Sequence, residues 1–210
     1  MLLTLISDTH FKHQNLTLQG GDILIHAGDL CGHGTEDEVV SFLKWFEKQP
    51  YQHKIFIAGN HDWFFEIYEK EIEYLNKIIP KNIHYLNDSG VTINGINFWG
   101  SPIQPEFFSW AFNRKRGEEI NKHWQKIPEN TDVLITHGPP FGILDKTQRG
   151  ENVGCEKLLE KVKQINPKLH VFGHIHEGFG IDKQDQTTFV NASSVNLSYQ
   201  LCNHPINFEL

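Results

Sequence analysis

Cysteine is scarce in this chain, and its scarcity excludes a good deal. The three cysteines, Cys31, Cys155 and Cys202, are odd in number and far apart. Neither a disulfide framework nor a thiolate zinc site is expected from them, and a reduced, cytoplasmic protein is the simplest account. No apolar run approaches the ~20 residues needed to cross a bilayer. The opening MLLTLISD has no basic flank, and its apolar stretch stops at Asp8, too short for a signal peptide. Positive charge is in deficit as well. The 19 Lys and Arg against 26 Asp and Glu leave a net charge of −7, which argues against a nucleic-acid partner. There is no repeat and no low-complexity tract. With 210 residues, 39% hydrophobic and 21% charged, one compact domain over residues 1–210 is expected.

What the chain has in excess is histidine, 13 residues in all, and the placement is patterned. Five short runs rich in Ile, Leu and Val each end in a polar group. LLTLIS leads to Asp8-Thr9-His10, DILIHA to Gly28-Asp29, and KIFIA to Gly59-Asn60-His61-Asp62. DVLIT leads to His137-Gly138-Pro139-Pro140, and LHVF to Gly173-His174-Ile175-His176. Short continuous apolar runs predict strands covered on both faces. Helix patterns lie between several of them. Thr35 to Gln49 opens with the capping-box pair Thr35 and Glu38 and keeps Val39, Leu43 and Phe46 on one face. Residues 63–79 align Tyr68, Ile72, Leu75 and Ile79, and residues 153–165 repeat the pattern. Strand and helix in alternation predict parallel βαβ units. VTINGINFW predicts a hairpin at Asn94-Gly95, and IDKQDQTTFVNAS and PINFEL further hairpin or edge strands. The expected fold is α/β, a four-layer αββα sandwich of two mixed β-sheets flanked by helices.

In such sheets ligands sit beyond the carboxyl ends of the parallel strands, where all five polar groups lie. This brings Asp8, His10, Asp29, Asn60, His61, His137, His174 and His176 together. Extended backbone sends residues i and i+2 to one side, so His174 and His176 converge on one point. Carboxylates, an amide and imidazoles suit first-row divalent cations such as Mn, Fe, Co, Ni or Zn, and suit Ca poorly. Seven or eight donors are too many for one ion, whereas two ions sharing a carboxylate would use them.

The ordered series D-x-H, G-D, G-N-H-D, T-H-G and G-H-x-H, from Asp8 to His176, resembles the calcineurin-like metallophosphoesterase superfamily. WGSPIQPEF, WAFNRKRGEE, ITHGPPFGILD, and LHVFGHIHEGFG followed by FVNASSVN resemble its small metallophosphoesterase-domain proteins related to class III cyclic nucleotide phosphodiesterases. The resemblance implies that Asp8, His10 and His176 hold one metal and Asn60, His137 and His174 the other, with Asp29 bridging; Mn is the first candidate. It also implies that His61 faces the substrate, oriented and kept partly cationic by Asp62. His61 would then protonate the leaving group as a metal-bridging hydroxide attacks phosphorus. The expected activity is hydrolysis of small organic phosphodiesters, cyclic nucleotides among the candidates. A phosphomonoesterase or nuclease at the same site is one alternative, and a non-catalytic interaction protein on the same fold is another. The expected partner is thus a small phosphoester, and nothing marks an oligomeric state.

Asn113, Arg114 and Arg116 in AFNRKRG, and Arg149 in KTQRG, are candidates to meet phosphate. The aromatic cluster Phe107, Phe108, Trp110 and Phe112 is read as core or lid packing ahead of base stacking. The remaining eight histidines are read as structural or solvated.

Overall fold

Alternation within each strand decides the layering. In the computed structural model, which describes all 210 residues, the strands in chain order are β1 (Leu2–Ile6), β2 (Gly21–Ala27), β3 (Tyr51–Ile57), β4 (Ile83–Tyr85), β5 (Ser89–Ile93), β6 (Ile96–Ser101), β7 (Gln104–Pro105), β8 (Asn113–Arg114), β9 (Val133–Thr136), β10 (Leu169–Phe172), β11 (Gly180–Gln184), β12 (Thr187–Asn191) and β13 (Ile206–Glu209). One sheet has the order β13-β1-β2-β3-β4, and only β13 in it runs antiparallel. The other has the order β11-β12-β10-β9-β6-β5, parallel through its middle with antiparallel edges. Leu3, Leu5, Ile23, Ile25, Ile55 and Ile57 of the first sheet share one core with Val133, Ile135, Leu169, Val171 and Val190 of the second. Their neighbours Leu24, Phe56, Leu134 and Phe172 point the opposite way, into a core completed by helices. Strands apolar on both faces require cover on both sides, and two facing sheets with helices outside supply it.

Helix α1 (Glu36–Glu47) begins at the expected capping box. The Thr35 hydroxyl accepts from Glu38 N–H at 3.4 Å, and the Glu38 carboxylate accepts from Thr35 N–H at 3.1 Å. Its Phe42 and Phe46 rest on Phe56 of β3, with ring centroids 5.7 and 6.1 Å apart. The helix expected over 63–79 is instead two, α2 (Trp63–Ile67) and α3 (Ile72–Ile78). The break lets Tyr68 lie against both Phe64 at 4.7 Å and Tyr74 at 5.1 Å. Residues six apart do not share a face of one straight helix. An unanticipated helix, α4 (Glu118–Trp124), buries Trp124 completely. Helix α5 (Glu156–Ile165) starts three residues later than its pattern suggests. Cys155 N–H donates to Pro139 O at 3.0 Å and Cys155 O accepts from Phe141 N–H at 3.1 Å, which keeps the preceding chain extended. The β5–β6 hairpin turns at Asn94 (φ 51°) and Gly95 (φ 80°), both left-handed as its tight turn requires. No helix is long and apolar enough to cross a membrane.

One buried histidine makes the fold sensitive to acid. His170 on β10 is fully buried, with Nε2 2.8 Å from Thr136 Oγ1, and burial holds its pKa down at about 3. Its ordinary value in an unfolded chain is about 6.5. The folded state keeps it neutral, so its contribution to stability is present above about pH 6.5 and is lost as pH falls toward about 3. Urea unfolding in the presence of chelator is expected to show this loss. His170→Gln should remove roughly one proton from the dependence, about 1.4 kcal/mol per pH unit; an unchanged slope would contradict the assignment.

Candidate metal centre

Three of the five motifs leave their strands through strained turns. Asp8, His10, Asp29 and His174 have φ of 51°, 41°, 56° and 67°, a left-handed conformation that costs about 1–2 kcal/mol per residue. The turns are locked to one another. Asp8 N–H donates to Gly28 O at 2.9 Å, His10 N–H to Asp29 O at 3.0 Å, and His174 N–H to the Asp8 carboxylate at 3.0 Å. Glycine stands where a side chain would hit a ligand. A Cβ on Gly59 would strike the Asp29 carboxylate and the His137 ring, and one on Gly173 would strike the Asp8 carboxylate and Ser7.

Strand ends from both sheets thereby meet. Ligand atoms of Asp8, His10 and His176, of His10, Asp29 and His61, and of Asp29, His137 and His174 lie within 4.8 Å of one another in each group. Asp29 Oδ2 is 3.4 Å from His137 Nε2 and 3.7 Å from His10 Nε2. Its Oδ1 accepts from His61 N–H at 2.8 Å. Asn60 Oδ1 lies 2.9 Å from His137 Nε2, and the Nε2 atoms of His10 and His176 are 3.3 Å apart. His137 Nδ1 donates to Ala27 O at 3.0 Å and His176 Nδ1 to Asn196 O at 3.2 Å. Those carbonyls fix the tautomers and turn both Nε2 atoms inward, as oriented metal ligands require.

The charge balance has the same centre. Asp8 and Asp29 are only 0% and 2% exposed. Burial works against their ionisation, but His176 beside Asp8 and His137 beside Asp29 hold both carboxyls well below the usual range. Burial depresses His10 to about 4 and His174 to about 3. At His137 burial acts in that direction too, but the Asp29 carboxylate prevails and raises it to about 9. Buried carboxylates demand a cation, and the donors gathered around these two could hold one. Two carboxylates, an amide oxygen and inward-facing imidazoles fit divalent ions of the Mn-to-Zn row.

His61 N–H is bound by Asp29, its ring Nδ1 donates to Gly32 O at 2.9 Å, and its face stacks on Trp110 at 4.4 Å. Asp62 does not orient that ring, contrary to expectation. Its fully buried carboxylate accepts from the N–H groups of Leu30, Cys31 and Gly59 at 3.3, 2.9 and 2.7 Å. Three backbone donors claim it, so it braces the G-D and G-N-H-D loops.

Three of the four expected phosphate contacts are engaged elsewhere. The Asn113 amide donates to the carbonyls of Phe107 and Phe108 at 3.1 and 3.0 Å, which ties a loop. Arg114 pairs with Glu66 at 3.4 Å and lines a separate cavity of about 890 Å³, alongside Leu75, Ile79 and Tyr85 and none of the clustered ligands. Arg116 pairs with Glu156 at 2.7 Å. Arg149 is exposed on a turn where Gln148 N–H donates to Glu177 at 2.9 Å.

Tyr199 carries no motif signal, yet its ring lies edge-on to His10 at 4.7 Å and to His176 at 5.7 Å. Asn196 explains this. Its side chain accepts from the N–H groups of Ser198 and Gln200 at 2.9 and 3.0 Å, and its carbonyl is the one that holds His176.

A family model described as calcineurin-like phosphoesterase matches residues 1–178. Human metallophosphoesterase domain-containing protein 1 is 42% identical over 98% of this chain and 69% of its own length. A UPF0046 protein of Caenorhabditis elegans is 39% identical over 97% of this chain and 73% of its own. Among solved structures, phosphopantetheinyl hydrolase from Mycobacterium tuberculosis is similar in fold, with a TM-score of 0.62 at 17% identity over 91% of this chain and 88% of that one.

Calorimetric titration with Mn²⁺ is expected to read two ions per chain with net release of protons, seen as heat that varies with the buffer's ionisation enthalpy. Gly173→Ala, whose methyl group meets the Asp8 carboxylate, should bind one ion at most. Full stoichiometry in that variant, with no protons released by either protein, would refute this account of the centre.

Proposed function

The chain belongs to the calcineurin-like phosphoesterase family, whose members are metal-dependent phosphoester hydrolases, and on that premise we propose that it hydrolyses small organic phosphodiesters, cyclic nucleotides included. Asp29 carries this reading: one buried carboxylate belongs to two of the three ligand groups, as a bridge between two cations would. In this reading Asp8, His10 and His176 hold one ion and Asn60, His137 and His174 the other, Mn²⁺ being the first candidate. Bound there, two divalent ions supply Lewis-acid charge to phosphoryl oxygens and lower the pKa of water to roughly 7.

The chain's own groups account for the remaining chemistry. The carbonyls of Ala27 and Asn196 hold two imidazoles in the ligating tautomer, so no rearrangement is needed at the moment of reaction. His61 has its main-chain N–H committed to Asp29 and its Nδ1–H to Gly32. Nε2 is the nitrogen left to hold a proton for the departing oxygen. When that proton is transferred, the ring returns to the neutral Nδ1–H form that the Gly32 carbonyl favours. A general acid of this kind is typically worth about 10²–10⁴-fold. Asp62 acts at one remove, by holding the loop that presents Asn60 and His61.

Mn²⁺-loaded protein is expected to hydrolyse bis-p-nitrophenyl phosphate, and Asp29→Ala or EDTA to abolish that activity. His61→Asn should lower kcat by about 10²–10⁴-fold on diesters with unactivated leaving groups. Turnover that survives both chelation and the Asp29 change would eliminate this mechanism, and faster turnover of monoesters would reassign the enzyme as a phosphomonoesterase.

A further inference from the structure

His61 is held at one ring nitrogen and at its main-chain N–H. One hydrogen bond through Nδ1 is a pivot: the ring can still tip about it and carry Nε2 away from the cluster. Three aromatic contacts oppose that motion, the one to Trp110 being face-on. The Trp110 indole lies on the ring face, with centroids 4.4 Å apart and planes at 26°, His10 meets the ring edge-on at 4.6 Å and 80°, and Tyr199 lies at 6.1 Å and 63°.

Trp110 is not there to fill the core. Trp124 is fully buried, whereas Trp110 is half-buried and follows four exposed residues, Glu106 to Ser109. Its indole stacks on the His61 imidazole and belongs to neither apolar core. The loop that delivers it is anchored at both ends of the approach. Ala111 N–H donates to Asn60 O at 3.2 Å, and the Asn113 amide gathers the carbonyls of Phe107 and Phe108. The chain thus ties the Trp110 loop to the residue that precedes His61.

We propose that Trp110 is a positioning residue, which holds the His61 ring by stacking so that Nε2 points at the leaving oxygen. The proposal rests on the reading of His61 as the general acid. Misplacement of a catalytic group by about 1 Å can cost 10²-fold, and the loss falls where the proton matters. A p-nitrophenolate leaves with little help, whereas a phenolate needs more. A slack His61 therefore steepens the dependence of rate on leaving-group acidity, and a general loss of structure lowers all rates alike.

The test uses the Mn²⁺-loaded protein and methyl aryl phosphates graded from p-nitrophenol to phenol, with bound metal measured in every variant. Trp110→Leu should lose at most a few-fold in kcat on the nitrophenyl ester and roughly 10- to 100-fold more on the phenyl ester. Trp110→Phe, which keeps a flat face, should recover most of that loss. His61→Asn should show the same selectivity more strongly, and adding Trp110→Leu to it should cost nothing further. Equal losses across the series, no loss, or additivity with His61→Asn overturns the role of Trp110. A His61→Asn protein with unchanged leaving-group dependence overturns the reading of His61 and the proposal with it. A His61→Asn effect alongside a uniform Trp110→Leu effect overturns the proposal alone.

Discussion

Asp8 and Asp29 keep negative charge at 0% and 2% exposure, and most of what surrounds them follows from that. A carboxylate out of water must be matched by donors or cations. Asp8 takes the His174 N–H and the Ser193 hydroxyl, the latter at 2.7 Å, while Asp29 takes the His61 N–H. The rest of their acceptor capacity is turned toward imidazole nitrogens of His176, His10 and His137. Divalent cations would complete that arrangement, and the same field raises the basicity of His137.

Holding so many donors at so short a range has a conformational cost, carried by the strand ends. Four of the clustered residues adopt left-handed backbone, which persists only when neighbouring structure over-determines it. Here the turns determine one another, because Asp8, His10 and His174 each donate to the turn or the carboxylate of another motif, and Asp29 accepts from His10. The same economy governs the outer contacts. Two main-chain carbonyls set the tautomers, one Asn196 turn both holds His176 and presents Tyr199, and Asp62 gathers three N–H groups from two motif loops. The separate cavity beside α3 shares none of these residues.

The five strands and their polar tips were readable because two signals coincide there: apolar runs buried on both faces, and ligand-type residues immediately after them. The capping box of α1 and the Asn94-Gly95 turn were readable because they are local. Failures occur where a contact outside the local pattern decides. Tyr68 breaks a helical stripe to meet Tyr74, Cys155 delays α5 by pairing with the loop after β9, and Asp62 abandons its sequence neighbour for backbone donors around Leu30 and Cys31. Arg114 and Asn113 resembled phosphate ligands by type, but Glu66 and two loop carbonyls hold them.

By itself the sequence determined the layered α/β plan, the identity of the donors and the order in which the chain presents them, since hydrophobic periodicity and residue chemistry are properties of short segments. Tertiary structure alone decided which nitrogen of His137 and His176 faces inward, that Asp29 touches two ligand groups, and that Trp110 and Tyr199 lie against His61. Those are distances between segments up to well over a hundred residues apart, fixed by how two sheets register against each other, and no local pattern encodes them.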